Sequence, residues 1–182
     1  MTLFGPKDLT TRPITDRVKE SLFAILTPRL PDATVADLFC GTGSMGLEAL
    51  SRGASHAFFV DLDRDALGRL QKNLTRLDFE SQATVIRADI FRRGIPSIPD
   101  AEQPQVDLVF LDPPYRLSRR TKETDPLGKL LLRLADQLRH RALVVVRHEK
   151  NASLRPPYST LHELDYREYG SMAITMLENV RE

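Results

Sequence analysis

With 182 residues, of which 41% are hydrophobic and 28% charged, the chain has the size and composition of one globular domain that buries its own core. Its 26 Lys and Arg residues almost balance 25 Asp and Glu residues, so a net charge of +1 excludes nucleic-acid binding through overall basicity. The single cysteine, Cys40, excludes an intrachain disulfide framework, and the lack of a signal peptide or an apolar run of ~18 residues predicts a cytoplasmic protein with no membrane partner.

Most of the chain alternates between helical and strand patterns. Apolar residues between positions 18 and 26 recur at helical spacing, and Thr27-Pro28 is expected to end this first helix. Strands are predicted at 34–39, 56–60, 83–88, 106–111 and 142–146, and further helices at 43–52, 63–77 and 127–138.

The remaining segments complete the predicted sheet. Residues 161–177 predict two longer strands joined near Tyr169-Gly170 as an antiparallel pair, and the segment 94–105, rich in Pro, predicts a surface loop. Strands that alternate with helices are typical of a doubly wound α/β fold. We therefore expect a single domain over residues 1–182, with a mainly parallel, Rossmann-like sheet of seven strands and an antiparallel C-terminal edge strand.

A glycine-rich loop, DLFCGTGSMG at residues 37–46, follows the first predicted strand and opens a helix. Such loops serve nicotinamide, flavin and S-adenosylmethionine proteins alike, because glycine allows a tight turn and the close approach of a ligand. Asp37 favours S-adenosylmethionine. A nearby negative charge would not help to bind a pyrophosphate, whereas it attracts the ammonium and the sulfonium of S-adenosylmethionine. Gly43 is expected to leave room for the methionine part of the cofactor.

Two acids at the ends of the next strands complete the predicted cofactor site. Asp61 lies roughly 20 residues after the first glycine, where an acid can accept hydrogen bonds from both ribose hydroxyls. Asp89 is placed to accept one from the adenine amino group. The alternatives are that Asp61 caps the helix that begins at Asp63 and that Asp89 is a solvated loop acid. The other candidate cofactor residues on these loops are Phe39, Gly41, Thr42, Gly46, Leu62, Ala88 and Ile90.

A second loop, Asp112-Pro113-Pro114-Tyr115, closes the fourth predicted strand, which should lie beside the first strand at the switch point of the sheet. An exocyclic base amine is nearly planar and must pyramidalise before it attacks a methyl carbon. Asp112 and the Pro113 carbonyl can accept its hydrogens, the prolines fix the backbone, and Tyr115 offers a face for the base. The alternative is an ordinary strand-ending turn, for which Asp and Pro are common. Together the two loops predict methyl transfer to a nucleobase amine.

Three segments closely resemble those of the RsmD-like methyltransferases: RPITDRVKESLF at 12–23, DLFCGTGSMGLEALSRGA at 37–54 and DPPY at 112–115. The resemblance covers most of the chain, and its middle segment is the distinctive one. It implies the class I methyltransferase fold, S-adenosylmethionine as donor with S-adenosylhomocysteine as product, and a guanine N2 amine in small-subunit (16S) ribosomal RNA as acceptor. It also implies that DPPY is the catalytic loop and that Arg12 and Thr15 lie at the methionine end of the cofactor.

One feature of that family has no counterpart in this sequence. Its members usually begin with a basic hairpin, rich in Gly, Lys and Arg, that grips RNA ahead of the Thr-Arg-Pro segment. A short segment, residues 1–11 with Lys7 and Asp8, stands in its place here.

Basic residues beside the two acid-bearing loops are the candidates for contacts with RNA phosphates. They are Arg92 and Arg93 after the third strand, and Arg116, Arg119, Arg120 and Lys122 after the catalytic loop. The alternative for these residues is a solvated loop. Five further basic residues are predicted to be surface charges: Arg139, Arg141, Arg147, Lys150 and Arg155. Cys40 is expected to pack against its neighbours and not to act as a nucleophile. No histidine stands at metal-ligand spacing, so no metal is expected.

The sequence thus predicts a monomeric RNA guanine-N2 methyltransferase whose partner is ribosomal RNA or a partly assembled small subunit. A second interpretation is amine methylation of adenine or cytosine in DNA, which the lack of a second domain for reading DNA disfavours. A third is a non-catalytic RNA-binding or ribosome-assembly factor, which the intact Asp61, Asp112 and Tyr115 disfavour.

Overall fold

The structure, a computed structural model, describes residues 15–95, 106–118, 121–152, 154 and 156–181; for Tyr115 and Arg116 it describes the backbone. In chain order its elements are α1 (Asp16–Leu26), β1 (Thr34–Leu38), α2 (Ser44–Ser51), β2 (His56–Asp61), α3 (Arg64–Leu77), β3 (Ala83–Arg87), α4 (Ile90–Arg93), β4 (Leu108–Leu111), α5 (Tyr115–Ser118), α6 (Pro126–Gln137), β5 (Leu143–Glu149), β6 (Leu161–Tyr169) and β7 (Met172–Asn179). Within these ranges no helix is both long and apolar enough to cross a bilayer.

The strands form one seven-stranded sheet in the order β3-β2-β1-β4-β5-β7-β6. The pairs from β3 to β5 are all parallel, whereas β7 is antiparallel to both of its neighbours. The predicted doubly wound, mainly parallel sheet with an antiparallel C-terminal edge is therefore confirmed. Within that edge the last strand, β7, lies inside the sheet, and β6 is the outermost strand.

Each face of the sheet is covered by helices and has its own apolar core. On the face that we call the α1 face, helices α1, α2 and α3 pack residues such as Leu22, Leu47 and Leu70 against the strands. On the α6 face, Leu130 and Leu134 of α6 pack against the opposite side of the same strands. Burial on both faces explains why the central strands are largely apolar and show no regular polar alternation.

The order of the strands places the two predicted loops side by side. The chain runs outward from β1 through β2 to β3, and it then returns to add β4 and β5 on the other side of β1. In the β1–β4 pair, Leu38 lies opposite Leu111. The switch point of the sheet therefore lies between the carboxyl ends of these two strands, where ligands of open α/β sheets bind.

The structure differs from the sequence prediction in a few elements. The short helices α4 and α5 were not predicted, because a single turn has too few residues to show a period. Strand β5 runs to Glu149, three residues beyond its predicted end, because β7 continues to pair with it as far as the Glu149–Met172 pair. Most of the predicted 94–105 loop lies outside the described residues, as does the short N-terminal segment 1–11.

The last residue of β7 joins the sheet to α6. Asn179 is fully buried, and its Nδ2 donates hydrogen bonds to the carbonyls of Ala135 (3.3 Å), Leu138 (3.0 Å) and Arg139 (3.1 Å). Carbonyls at the end of a helix have no partner within the helix, so this side chain acts as their C-terminal cap.

We predict that Asn179→Ala lowers the free energy of unfolding by about 1–3 kcal/mol, because the Leu138 carbonyl loses its donor and the carbonyls of Ala135 and Arg139 each lose one of two. Denaturant unfolding followed by circular dichroism measures the effect. Asn151→Ala, at an exposed turn position, is the control and should change stability by less than about 0.5 kcal/mol. Equal stability of the two variants would show that Asn179 does not cap the helix.

Candidate active site

Hydrogen bonds hold the ends of three adjacent strands at one rim of the sheet. The Cys40 N–H donates to the Val60 carbonyl at the end of β2 (3.2 Å), and the Asp112 N–H donates to the Leu38 carbonyl at the end of β1 (3.4 Å). The loops that follow β1, β2 and β4 therefore begin next to one another. Their acids, Asp37, Asp61 and Asp112, form the centre of the candidate site.

The glycine-rich loop turns through left-handed backbone at Phe39, Gly41 and Gly43, whose φ angles are 62°, 53° and 85°. A Cβ at Gly41 would meet no atom within 4 Å, so this position opens onto free space. A Cβ at Gly43 would lie 2.4 Å from Leu70, and one at Gly46 would lie 2.3 Å from the Phe59 ring.

The glycines therefore have two different roles. The expectation that the missing side chain of Gly43 makes room for a ligand is wrong, because Leu70 of α3 occupies that space. Gly43 and Gly46 let α2 and α3 pack closely on β2, whereas Gly41 leaves the rim open. Contacts of Gly43 and Gly46 with a cofactor stay predictions, and at Gly43 only the backbone remains to make them.

A buried asparagine, which the sequence analysis missed, supports the glycine-rich loop from α3. Asn73 is fully buried, and its Nδ2 donates a 3.2 Å hydrogen bond to the Thr42 carbonyl. Its position between the apolar Leu70 and Leu74 of an otherwise amphipathic helix was the available signal. This bond fixes the backbone of the loop at the point where it enters α2.

Asp37 is buried beneath the first turn of α2. The residue is only 2% exposed, and its Oδ2 accepts a 2.9 Å hydrogen bond from the Gly46 N–H. Desolvation by burial raises the pKa of Asp37 to about 7, the Gly46 N–H opposes the rise, and the nearby charges of Asp112 and Asp61 add to it. Among the described residues, no Lys or Arg side chain forms an ion pair with Asp37. A cation brought by a ligand would therefore stabilise its charged form.

Asp61 connects the first two loops. Its Oδ2 accepts a hydrogen bond from the Gly41 N–H (2.8 Å), and its Oδ1 accepts one from the Asp63 N–H (2.9 Å). The alternative that Asp61 caps α3 is wrong, because Asp63 is the N-cap. Each carboxylate oxygen can accept a second hydrogen bond, so Asp61 retains capacity for hydroxyl donors. Leu62 beside it is 56% exposed, an apolar surface at the rim.

Asp89, at the end of β3, has partners within the protein. It is the N-cap of α4, and its Oδ1 accepts a hydrogen bond from the Phe91 N–H (3.0 Å). Its Oδ2 lies 3.5 Å from Nε of Arg92. The alternative of a solvated loop acid is therefore wrong, and the predicted adenine contact stays a prediction. Beside it, the Ala88 N–H donates to the Asp61 carbonyl (3.1 Å), and Ile90 is buried.

Asp112 lies at the mouth of the site. Its side chain is 38% exposed, and its Oδ2 accepts a 2.6 Å hydrogen bond from Nη1 of Arg147. Desolvation raises the pKa of Asp112 to about 6, although the Arg147 charge and hydrogen bond lower it. The Pro114 carbonyl accepts hydrogen bonds from the N–H groups of Leu117 (2.8 Å) and Ser118 (3.2 Å). These two bonds form the single turn of α5. No donor among the described residues bonds to the Pro113 carbonyl.

The prediction that Arg147 is a surface charge is wrong. Its side chain is 9% exposed and ion-paired with Asp112, because the β5–β7 pairing extends β5 past residue 146 and carries Arg147 into the sheet. Arg139 pairs with Asp107 at the opposite end of β4 and β5 (2.7 Å). The other three basic residues of that prediction do not approach the site: Lys150 pairs with Glu168, Arg141 is exposed near Glu178, and Arg155 lies outside the described residues.

The predicted RNA contacts are only partly described. Arg92 projects from α4 with an 86% exposed side chain, and the neighbouring Arg93 is exposed too. Arg119, Arg120 and Arg12 lie outside the described residues, as do the side chains of Arg116 and Tyr115. Thr15 is the N-cap of α1, where its Oγ1 accepts a 3.4 Å hydrogen bond from the Val18 N–H. These roles stay predictions.

Neither a reactive thiol nor a metal cluster forms in the part of the chain that the structure describes. Cys40 is buried, and burial raises its thiol pKa well above the usual range, which keeps the thiol protonated and unreactive. No three His, Cys, Asp or Glu side chains of the described ranges are grouped as a metal site requires. The acids of the three strand ends are the groups available for chemistry.

We predict that Asp37→Asn stabilises the ligand-free protein increasingly as pH rises from about 4 to 7. The raised pKa means that the folded state keeps a proton that the unfolded chain releases, so the wild type loses stability over this range, on the order of 4 kcal/mol at most. Asn keeps an acceptor for the Gly46 N–H and carries no charge. Denaturant unfolding at several pH values measures the difference. Asp136→Asn, at an exposed position of α6, should give a flat difference; a flat difference for Asp37→Asn would contradict its burial.

Comparison with known proteins shows that the chain is similar to methyltransferases. A protein-family model described as "Conserved hypothetical protein 95" matches residues 2–178. The ribosomal RNA small subunit methyltransferase D of Haemophilus influenzae is 37% identical over 150 residues, which cover 80% of this chain and 72% of that protein. The solved structure of a putative methyltransferase, yhhF, from Escherichia coli is 30% identical with a TM-score of 0.76, and the match covers 95% of this chain and 90% of that one.

A more distant solved structure has the same fold. An RNA methyltransferase from Salinibacter ruber, solved in complex with S-adenosyl-L-homocysteine, is 14% identical with a TM-score of 0.66, covering 93% of this chain and 95% of that one. At this identity the likeness shows the fold alone, and it agrees with the predicted class I methyltransferase fold. By the family match and by identity to its relatives, the chain belongs to the RsmD-like family of conserved hypothetical protein 95.

Proposed function

We propose that the protein transfers a methyl group from S-adenosylmethionine to the exocyclic N2 amine of a guanine in small-subunit ribosomal RNA. The observation that carries the proposal is the β1–β4 pairing, which sets the buried acid Asp37 and the open position Gly41 beside the solvent-accessible Asp112. The relative named ribosomal RNA small subunit methyltransferase D supports the substrate and the reaction. The partner is ribosomal RNA or a partly assembled small subunit, and the protein acts as a cytoplasmic monomer.

The rim at the ends of β1 and β2 fits the proposed cofactor. Asp61 would accept hydrogen bonds from its ribose hydroxyls, and the exposed apolar surface of Leu62 would pack on its adenine. Asp37, with no cationic side chain paired to it among the described residues, would face its positive charges. The S-adenosyl-L-homocysteine in the structure of the Salinibacter RNA methyltransferase, whose fold this chain shares, supports this choice. When bound, the cofactor supplies a methyl group on a sulfonium, which leaves as a neutral thioether on transfer to a nucleophile.

Asp112 acts on the substrate amine. Its Oδ2 is held by Arg147, and its Oδ1 has no partner among the described residues, so Oδ1 is the oxygen that accepts a hydrogen bond from the amine. The Pro113 carbonyl accepts the second amine hydrogen. Both bonds strengthen as the nitrogen becomes tetrahedral and its hydrogens become more acidic, so they lower the barrier to transfer.

Asp112 also takes up the proton that the methylated nitrogen must lose. With a pKa of about 6 its carboxylate is charged at neutral pH, and the nitrogen of a protonated arylamine is a far stronger acid. The proton then passes to water, because the side chain is 38% exposed. Tyr115 would stack on the extruded base, and Arg92, Arg116, Arg119 and Arg120 would contact phosphates.

The proposal is tested by offering labelled S-adenosylmethionine to ribosomal particles, free ribosomal RNA and DNA from a strain that lacks this protein. Label in an N2-methylguanine of the small-subunit RNA is the expected result. Label in adenine or cytosine of DNA would replace the proposal by DNA amine methylation. Bound RNA without label, at any state of assembly, would indicate a non-catalytic factor.

We predict that Asp112→Ala lowers the rate of methyl transfer by at least ~10²-fold, as the loss of one transition-state hydrogen bond does elsewhere, with little change in affinity for S-adenosylhomocysteine. Single-turnover kinetics and calorimetry measure the two effects. Asp107→Ala is the matched control, because it removes an acid paired with an arginine at the other end of β4. Unchanged turnover in Asp112→Ala would contradict the role of the acid.

We predict that Asp61→Ala weakens binding of S-adenosylmethionine about tenfold or more, because hydrogen bonds to a charged acceptor contribute about 1.5–3 kcal/mol each. Isothermal titration calorimetry measures the affinity. Asp63→Ala, two residues later, removes the α3 cap but no proposed ribose contact, and it should bind the cofactor like the wild type. Equal affinities of the two variants would exclude the ribose contact.

A further inference from the structure

A buried arginine stands directly behind the acid of the catalytic loop. In the β4–β5 pair, Leu111 lies opposite Val146, so Asp112 and Arg147 are the next residues on two adjacent parallel strands. Beyond this point β4 has ended, and β5 continues only because β7 pairs with it, with Arg147 opposite Ile174. The backbone position of Arg147 is therefore fixed by the sheet, whereas Asp112 begins a loop.

The Arg147 side chain lies in an apolar pocket. Residues two apart on a strand share a face, so Arg147 points to the α1 face with Val145. The small pocket there is lined by Leu22, Phe110 and Ile174, with Asp112 and Arg147 at its polar end. An arginine in such surroundings is stable only if an anion balances its charge, which makes the 2.6 Å contact with Asp112 Oδ2 energetically important.

The pair is asymmetric toward solvent. The Asp112 side chain is 38% exposed and that of Arg147 is 9% exposed, so a substrate arriving from outside reaches the acid and not the arginine. Arg147 Nη1 bonds to Oδ2, which leaves Oδ1 as the outward acceptor. A fixed strand residue thus sets the orientation of an acid on a loop.

We propose that Arg147 is a positioning residue for methyl transfer: it holds Asp112 Oδ2 so that Oδ1 faces the substrate amine, and it keeps this acid in its charged form. The inference rests on the proposed function. It adds to that function a cation from β5, outside the two loops, on which the acid depends.

The charges around Asp112 show why one cation is needed. Asp37 on the adjacent β1 is close enough for the charge of Asp112 to raise its pKa, and Asp61 acts on Asp37 in the same direction. Desolvation opposes ionisation of Asp112, whereas the charge and the hydrogen bond of Arg147 lower its pKa. Among the described residues, Arg147 is the cation that pairs with any of these three acids. Its removal would leave Asp112 largely protonated at neutral pH, and a neutral carboxyl group is a weaker acceptor for an amine hydrogen than a carboxylate.

The first test measures ionisation directly in the ligand-free protein. Carbon-13 NMR of labelled aspartate carboxyls, with Asp112→Asn to assign the signal, follows the titration of Asp112. We expect Arg147→Met to raise its midpoint by about two pH units, and Arg147→Lys, which keeps the charge, to restore most of the shift. An unchanged midpoint in Arg147→Met would overturn the proposal, whatever the enzyme assays show.

The second test measures catalysis. For Arg147→Met we expect kcat at pH 7 to fall about tenfold, the acid limb of the kcat profile to move to higher pH, and activity to recover toward pH 9, with KM for RNA unchanged. Arg147→Lys should recover the wild-type limb. An equal loss at every pH without rescue by Lys would indicate a merely structural role and overturn the proposal.

Two controls keep the outcomes distinct. Arg139→Met breaks an equally short ion pair at the other end of β4 and β5 and should move neither the Asp112 titration nor the kcat profile. Arg147→Gln, which keeps an N–H donor without the charge, replaces Arg147→Met if the latter fails to fold, with the same expected shift. If the wild type methylates no RNA, the proposed function fails, and the NMR arm still decides whether Arg147 controls Asp112.

Discussion

The parallel pairing of β1 with β4 is the constraint on which the rest of the site depends. Leu38 and Leu111 lie opposite each other, and the Asp112 N–H extends the ladder by one more bond, to the Leu38 carbonyl. Because the chain reverses its direction of winding between these strands, the connections that leave them run to opposite sides of the sheet, and a crevice forms at the rim between them. The same pairing therefore creates an opening and places groups from two distant segments on either side of it.

The rim concentrates negative charge at a considerable electrostatic cost. Asp37 and Asp61 end β1 and β2, Asp112 follows β4, and backbone N–H groups with one arginine oppose their repulsion. Such a cluster destabilises the ligand-free protein and favours a cationic ligand. Binding of a cation therefore relieves the repulsion between the carboxylates. A dinucleotide with its pyrophosphate would meet the opposite condition, which is why Asp37 separates the possible cofactors better than the glycines do.

How much of this was predictable depends on the sequence separation of the contacts. The strands and the two loops follow from local patterns, and the order of the central strands follows from the right-handed connections of α/β units. Arg147 was predicted wrongly, because its burial requires pairing between β5 and β7, which the local pattern does not contain. The role of Gly43 was also predicted wrongly, since it depends on Leu70, on a helix 27 positions later in the sequence, filling the space.

The interior place of β7 has a consequence for synthesis on the ribosome. This strand comes last in chain order among those described, yet it lies between β5 and β6 and is what holds Arg147 within the sheet. A nascent chain therefore exposes one side of β5 until β7 has left the exit tunnel, and domains generally fold as whole units once their last strand is available. Translation that stops before residue 172 would yield a polypeptide with the glycine-rich and catalytic loops but with an open sheet flank, and β7 would not hold Arg147 beside Asp112. Truncated products are therefore expected to be inert and prone to degradation.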